Sequence, residues 1–180
     1  FLITADGYYR RGRFIEMKAK ADEAIAAGSA VETVVVVNNA GSDPSRLAAH
    51  EHDWEALMAA VPAREERELP CEMASDDPLL LIYTSGTSGK PKGAVHTHAG
   101  LPLKAALDLG LCMDLGEGDA LFWITDMGWL TAPVAVFGAF MNGATLAIYD
   151  GAPNHPQEDR LWTLVEAFGA THVGISPTFT

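Results

Sequence analysis

The sequence has few of the features that mark disulfide-stabilised, membrane-spanning or nucleic-acid-binding proteins. Its only cysteines, Cys71 and Cys112, cannot build a disulfide framework and show no metal-binding spacing. No run of about 18 apolar residues occurs, so the sequence predicts no membrane span. With 12 basic residues against 24 acidic ones, the net charge of −12 disfavours nucleic-acid binding through bulk electrostatics. A reducing, cytoplasmic setting is the expectation, with neither a nucleic acid nor a membrane as partner.

The chain does contain enough apolar material for a sizeable core, since 48% of its residues are hydrophobic. Residues 1–4 are too short for the core of a signal peptide, and basic residues follow them instead of preceding them. The chain begins inside an apparent strand and ends directly after another one. We therefore expect it to be a piece of a larger protein.

Apolar and β-branched runs alternate with helical patterns along most of the chain. We predict strands at 1–4, 31–37, 79–83, 94–95, 119–125, 145–149 and 171–175. We predict helices at 14–27, 53–61, 101–113, 132–141 and 159–168. This alternation is typical of an α/β fold with a mainly parallel sheet flanked by helices. The charged, turn-rich segment 62–78 is predicted to be a linker or a flexible segment.

The most informative segment is 83–93, which reads Tyr-Thr-Ser-Gly-Thr-Ser-Gly-Lys-Pro-Lys-Gly. It follows an apolar strand, as phosphate-binding loops often do. Glycines let backbone N–H groups approach an anion, hydroxyl groups add donors and lysines add positive charge. The candidate phosphate-binding residues are Thr84, Ser85, Gly86, Thr87, Ser88, Gly89, Lys90 and Lys92. The alternative is a Gly/Ser-rich surface turn between two strands.

This loop does not have the Walker pattern of P-loop NTPases. Only two residues separate Gly86 from Gly89, and Pro91 follows Lys90 where that pattern needs Ser or Thr. Proline also disfavours helical geometry in the residue before it. We therefore expect the loop to stay extended through Lys90 instead of opening a helix, which disfavours a P-loop NTPase.

The residues of segment 83–93 resemble instead the ATP-phosphate loop of adenylate-forming enzymes. This superfamily includes acyl-CoA synthetases, firefly luciferase and the adenylation domains of peptide synthetases. Segments elsewhere resemble the acetyl-CoA synthetase branch, so the resemblance covers nearly the whole chain. It implies that residues 1–180 are part of the large N-terminal adenylation domain of an AMP-forming acyl-CoA synthetase, without its C-terminal domain.

Three arginines stand close together in this acidic chain, at positions 10, 11 and 13. Arginine makes bidentate, permanently charged contacts to phosphates, although a solvated basic turn is the alternative. Segment 2–13 resembles a region of acetyl-CoA synthetases in which two arginines contact the phosphates of coenzyme A. The resemblance implies that role for Arg10 and Arg13. A similar resemblance at 176–178 implies a contact of Ser176 with CoA, with a helix N-cap as the alternative.

The segment 125–132 follows a predicted strand, and ligands of α/β sheets bind at the carboxyl ends of strands. Trp129 could wall an apolar pocket there or belong to the core. The segment resembles an Asp-x-Gly-Trp-x-Thr stretch of acetyl-CoA synthetases, which implies that Trp129, Leu130 and Thr131 line the acyl pocket. The position of Leu130 is typically valine in the acetate enzymes, so the size of the substrate stays open.

Two histidines, His96 and His98, would share one face of a strand, as metal ligands can. No third ligand occurs at a suitable spacing, so we expect no metal site here.

The resemblance implies a two-step ligation with ATP, Mg²⁺ and coenzyme A. A small carboxylic acid attacks the α-phosphate of ATP to give an acyl-adenylate and pyrophosphate, which Lys92 would stabilise; the CoA thiolate then displaces AMP. The family's motif for adenine and magnesium, its ribose-binding aspartate and its C-terminal catalytic lysine do not occur here. We therefore expect no ligase activity from these 180 residues alone. Two alternatives stay open: an adenylation domain for amino acids or other carboxylates without a CoA step, and a non-catalytic nucleotide-binding module.

Overall fold

A computed structural model describes residues 1–43, 47–61, 71–84 and 89–176. The chain forms two compact units, Phe1–Leu69 and Pro70–Thr180. The boundary between them falls inside the predicted linker 62–78. Residues 62–70 lie outside the described residues, so the linker stays a prediction. Among the described helices, none has the length and apolar character that a membrane crossing requires.

The first unit contains a parallel three-stranded sheet and a β-hairpin. Its elements are β1 (Leu2–Ala5), β2 (Gly7–Arg10), β3 (Arg13–Glu16), α1 (Met17–Ala26), β4 (Val34–Val37), β5 (Glu51–Asp53) and α2 (Trp54–Ala60). The sheet order is β1-β4-β5, and β2 pairs with β3 antiparallel. The valines of β4 are largely buried because this strand has a neighbour on each side, as expected for a continuous β-branched run.

The predicted helix 14–27 is wrong in its first turn. Residues 13–16 form strand β3, and the helix begins only at Met17. The β2–β3 turn places Arg11 and Gly12 at φ values of 50° and 74°, which suits the right-handed twist of the strands that it joins. Strand β5 was not predicted, because its three polar or charged residues carry no apolar alternation.

An ion pair between the half-buried Lys18 and the buried Glu51 links α1 to the sheet of the first unit. Lys18 Nζ lies 2.5 Å from Glu51 Oε1, and Glu51 also accepts a hydrogen bond of 2.8 Å from the Ala48 N–H. Burial raises the pKa of Glu51, but the contacts with Lys18 and Ala48 together lower it by a larger amount, so the net pKa lies below the usual range. The carboxylate is therefore charged when the ion pair forms.

The second unit combines a parallel sheet with an antiparallel hairpin. Its elements are β6 (Pro78–Thr84), β7 (Lys92–Thr97), α3 (Gly100–Leu107) with a π-helical turn (Asp108–Cys112), β8 (Ala120–Trp123), α4 (Thr131–Met141), β9 (Thr145–Ala147), α5 (Arg160–Phe168) and β10 (His172–Gly174). The sheet order is β10-β8-β9, with parallel pairs, and β6 pairs with β7 antiparallel. The prediction of a mainly parallel α/β fold is confirmed.

Alternate residues of the central strand β8 point to two separate apolar layers. Leu121 packs in a cluster with Leu109 and with the α4 residue Ala135, whereas Phe122 packs against Leu161 of α5. The leucine and phenylalanine side chains of these clusters, Leu109, Leu121, Phe122 and Leu161, are at most 2% exposed. Helices therefore cover both faces of this sheet, which leaves its strand ends for ligands.

Candidate functional site

The loop at residues 85–91 joins the two strands of the β6–β7 hairpin. Residues 85–88, which include the predicted Ser85, Gly86, Thr87 and Ser88, lie outside the described residues. At the mouth of the loop, Thr84 of β6 pairs with Lys92 of β7. The residue Lys92 begins a strand, not a helix, so the prediction that this loop does not open a helix is confirmed. This geometry differs from that of a P-loop, which leads directly into a helix.

The described residues of the loop are open to solvent and carry positive charge. Thr84, Gly89, Lys90 and Lys92 are all exposed. Gly89 has a φ of +79°, a left-handed conformation that favours glycine. Within the described part of the chain, neither lysine forms an ion pair with a carboxylate. Both ammonium groups are therefore available to an anion that binds at this loop.

The β2–β3 hairpin brings Arg10 and Arg13 together, in the first unit. The two arginines are directly opposite each other across the antiparallel pair, and both are exposed. Neither forms an ion pair with another described residue. Like charges opposite each other destabilise a sheet. The repulsion between the two arginines therefore lowers the stability of the hairpin, and a bound anion would relieve it. The tight turn, which sequence reasoning did not predict, is what creates the pair.

The opposite face of this hairpin carries two aromatic rings. Tyr9 and Phe14 are also directly opposite each other, one residue before and after the arginines, so they point to the other face. Their ring centroids are 5.5 Å apart. A cavity of about 390 Å³ lies beside these rings and is lined in addition by residues of the loop after β4. The arginines do not line this cavity.

The predicted acyl-pocket segment leaves the carboxyl end of β8. Asp126 organises it as a turn, because its side chain accepts a hydrogen bond of 2.8 Å from the Gly128 N–H and its carbonyl accepts one of 2.9 Å from the Trp129 N–H. The turn leads into α4 at Thr131. Trp129 is 70% exposed and Leu130 is 38% exposed, so the interpretation of Trp129 as ordinary core is wrong for the described part of the chain.

The structure places Ser176 and the acyl-pocket segment at the same edge of one sheet. Strand β10 runs parallel to β8, with Gly174 opposite Trp123, and the Ile124 N–H donates to the Gly174 carbonyl over 3.0 Å. Ser176 follows two residues after β10. Because the carboxyl ends of parallel strands meet at one edge, the segments after β8 and β10 start side by side. The residues that would show whether Ser176 caps a helix, 177–180, lie outside the described residues.

Asp6, for which the sequence predicts no role, lies in a dense set of hydrogen bonds. Its carboxylate is 6% exposed and accepts hydrogen bonds from the backbone N–H groups of Gly7, Asn39, Ala40 and Ser42. Burial raises the pKa of Asp6, but the four N–H groups together lower it by a larger amount, so the net pKa lies far below its usual range. The only sequence signal is an Asp-Gly step directly after a strand.

No group of three or more His, Cys, Asp and Glu side chains that could hold a metal ion occurs among the described residues. His96 and His98 lie at the end of β7 and directly after it.

An α/β chain with this loop between two antiparallel strands matches one known family over almost its whole length. Residues 2–180 match the family model described as AMP-binding enzyme. The chain belongs to the AMP-binding enzyme family, and the family resemblance identified in the sequence is confirmed.

The chain is similar to acetyl-coenzyme A synthetases within this family. It is 38% identical to that of Pyrobaculum aerophilum over 180 residues and 39% identical to that of Chlorobaculum tepidum over 178 residues. Both matches cover 98% of this chain and 27% of the relative. Among solved structures, the acetoacetyl-CoA synthetase from Streptomyces lividans is 32% identical with a TM-score of 0.82, and the match covers 99% of this chain and 26% of that one. The chain thus spans about a quarter of the length of these relatives.

Proposed function

We propose that the whole protein carrying this chain is a cytoplasmic, AMP-forming carboxylate–CoA ligase. It activates a small carboxylic acid as an acyl-adenylate and transfers the acyl group to coenzyme A. The observation that carries the proposal is the loop after β6, whose hydroxyl, glycine and lysine residues lie between two antiparallel strands with Thr84 and Lys92 at its mouth. The family membership and the similarity to acetyl-CoA synthetases support it.

In the first step, the loop binds the β- and γ-phosphates of ATP while the carboxylate attacks the α-phosphate. Pyrophosphate then departs with a dense negative charge. Backbone N–H groups and hydroxyls of residues 84–89 donate hydrogen bonds to it, and Lys90 and Lys92 supply positive charge. Magnesium, when bound, would neutralise further phosphate charge.

In the second step, the arginine pair holds the phosphates of coenzyme A. Arg10 and Arg13 offer planar donors from adjacent positions on one hairpin face, a geometry that suits a phosphate. Ser176 adds a hydroxyl contact to CoA. This step separates the proposed ligase from amino-acid adenylation domains and from luciferase-like enzymes, which do not need a CoA phosphate site here.

The acid is held at the carboxyl end of β8 by Trp129, Leu130 and Thr131. Trp129 and Leu130 present apolar surface to solvent in the described part of the chain, and both lie in the turn that precedes α4. Apolar side chains of this kind suit the acyl part of the acid, and the size of Leu130 leaves its chain length open. The names of the relatives make acetate and acetoacetate the first acids to examine.

The test is ATP–pyrophosphate exchange by the whole protein with acetate, propionate, butyrate, acetoacetate and benzoate, with and without CoA. We expect exchange that depends on one of these acids, and consumption of CoA with release of AMP in the complete reaction. Exchange with no CoA consumption would favour an adenylation domain. ATP binding with no exchange for any acid would favour a nucleotide-binding module.

A further inference from the structure

The hairpin that carries the arginine pair is only partly held by apolar packing. The aromatic face opposite the arginines is formed by Tyr9 and Phe14, which are 63% and 49% exposed. The cavity of about 390 Å³ lies on that same side of the hairpin. The two rings therefore give the hairpin limited apolar packing on this face, so polar contacts at its base have a larger share in fixing its angle to the sheet.

Hydrogen bonds at the base of the hairpin fix its angle to the sheet. The Asp6 carboxylate accepts from the Gly7 N–H over 2.7 Å at the start of β2, and from the Asn39 and Ser42 N–H groups over 2.9 and 3.0 Å in the loop after β4. One side chain thus joins segments that are 33 to 36 residues apart in the chain. Since the carboxylate is buried and charged, the loss of its partners would leave an unsatisfied charge.

Two further contacts hold the same base from other directions. The Asp6 carbonyl accepts from the Met17 N–H over 3.2 Å, which fixes the end of β3, and the Asn39 side-chain amide donates to the Gly7 carbonyl over 3.0 Å. Both strands of the hairpin are therefore tied at Asp6, and Asn39 contributes its backbone and its side chain. The free end of the hairpin, four residues away along each strand, carries Arg10 and Arg13.

We propose that Asp6 is a positioning residue for the CoA step. Its hydrogen bonds fix the β2–β3 hairpin to the loop after β4, so that Arg10 and Arg13 reach the CoA phosphates. Asn39 supports it through the bond to the Gly7 carbonyl. This inference rests on the proposed role of the two arginines. A small rotation at the base displaces the far end of the hairpin, and a misplacement of about 1 Å can cost up to about a hundredfold in a catalytic step.

The experiment compares two steps in the whole protein, because only one of them uses CoA. Asp6→Asn keeps the shape of the side chain but turns one acceptor into a donor that faces backbone N–H groups. We expect the KM for CoA to rise about tenfold or more, while acid-dependent ATP–pyrophosphate exchange without CoA keeps its rate. Asn39→Ala removes the bond to Gly7 and should show the same split to a smaller degree.

A control comes from a carboxylate in the second unit that is less buried than Asp6 and lies outside the hairpin. Asp119 accepts a hydrogen bond of 2.9 Å from the Gly116 N–H, and this bond lowers its pKa. Asp119→Asn should leave the KM for CoA unchanged. Arg10→Ala serves as the reference variant for the arginine pair, and it should raise this KM at least as much as Asp6→Asn.

The possible outcomes separate this inference from the proposed function. A raised KM for CoA in Arg10→Ala but not in Asp6→Asn or Asn39→Ala would overturn the role of Asp6 and leave the ligase proposal standing. Equal losses of exchange and of CoA affinity would show a merely structural role and overturn it too. An unchanged KM in Arg10→Ala would overturn the CoA role of the hairpin itself. If Asp6→Asn does not fold, as thermal unfolding would show, Asn39→Ala decides the question.

Discussion

Replacing Lys92 by alanine tests the phosphate loop with little disturbance of the fold. Lys92 is exposed, begins β7 opposite Thr84 and forms no ion pair with another described residue. Its removal should therefore change the free energy of unfolding by no more than about 0.5 kcal/mol. The loss should appear in the adenylation step, where the ammonium group stabilises the charge of the departing pyrophosphate.

The size of the effect follows from the place of the lysine at the open mouth of the loop. Removal of one preorganised donor from a developing oxyanion costs about 2.7–4 kcal/mol, or roughly 10²–10³ in rate. An exposed charge is partly screened by solvent and salt, which moves the expected loss of rate to the lower end of this range or somewhat below it. We therefore expect acid-dependent ATP–pyrophosphate exchange in the whole protein to fall about 30- to 100-fold for Lys92→Ala.

Two variants make this measurement decisive. Lys104→Ala removes the same side chain from the same unit, but Lys104 is ion-paired with Asp108 and lies outside the loop, so exchange should stay within about twofold of the unmodified protein. Lys92→Arg keeps the charge and should recover part of the rate. The assigned role of Lys92 is refuted if Lys92→Ala exchanges as fast as Lys104→Ala while both variants show unchanged thermal unfolding.

Three other perturbations test the fold that supports the site. Phe122→Ala should lower the free energy of unfolding by about 3–5 kcal/mol in denaturant titrations, whereas Phe140→Ala, at a position 64% exposed, should cost far less, and equal losses would contradict the assigned core. Gly138→Ala should cost about 1–3 kcal/mol, because the added methyl group would overlap Leu109; an unchanged midpoint would count against this close packing. Because folding lowers the pKa of Asp6, its stabilising contribution is fully present above the unfolded pKa of about 3.9 and is lost as pH falls below it towards the folded value. The free energy of unfolding should therefore decline more steeply between about pH 5 and pH 3 in the unmodified protein than in Asp6→Asn, and parallel curves would contradict this.

Much of the fold could be predicted because burial leaves a periodic signal in the chain. The amphipathic pattern of 159–168 predicted α5, and the β-branched run that ends at Val37 predicted the central strand β4. The signal fails where an element is short and polar, as in β5, or where a tight turn replaces the start of a helix. The β2–β3 hairpin belongs to the second case, since its turn uses a non-glycine residue at positive φ, Arg11.

The character of the loop at 83–93 was determined by the sequence by itself. Proline at position 91 and the glycine spacing are local constraints on the backbone, so they exclude a Walker geometry wherever the chain lies in space. The choice of residue types likewise predicts an anion as the ligand, because amides, hydroxyls and lysines are its donors. The same local information led to the family that the comparison with known proteins confirmed.

Only the tertiary structure decided which of the candidate residues meet. The register of β2 and β3 places Arg10 opposite Arg13, and parallel pairing of β8 and β10 puts the segments of Trp129 and Ser176 at one sheet edge. The buried set of hydrogen bonds around Asp6 joins it to a loop more than 30 residues away. Strand register and long-range hydrogen bonds depend on how distant segments approach each other, and hydrophobic periodicity along the chain does not encode that approach.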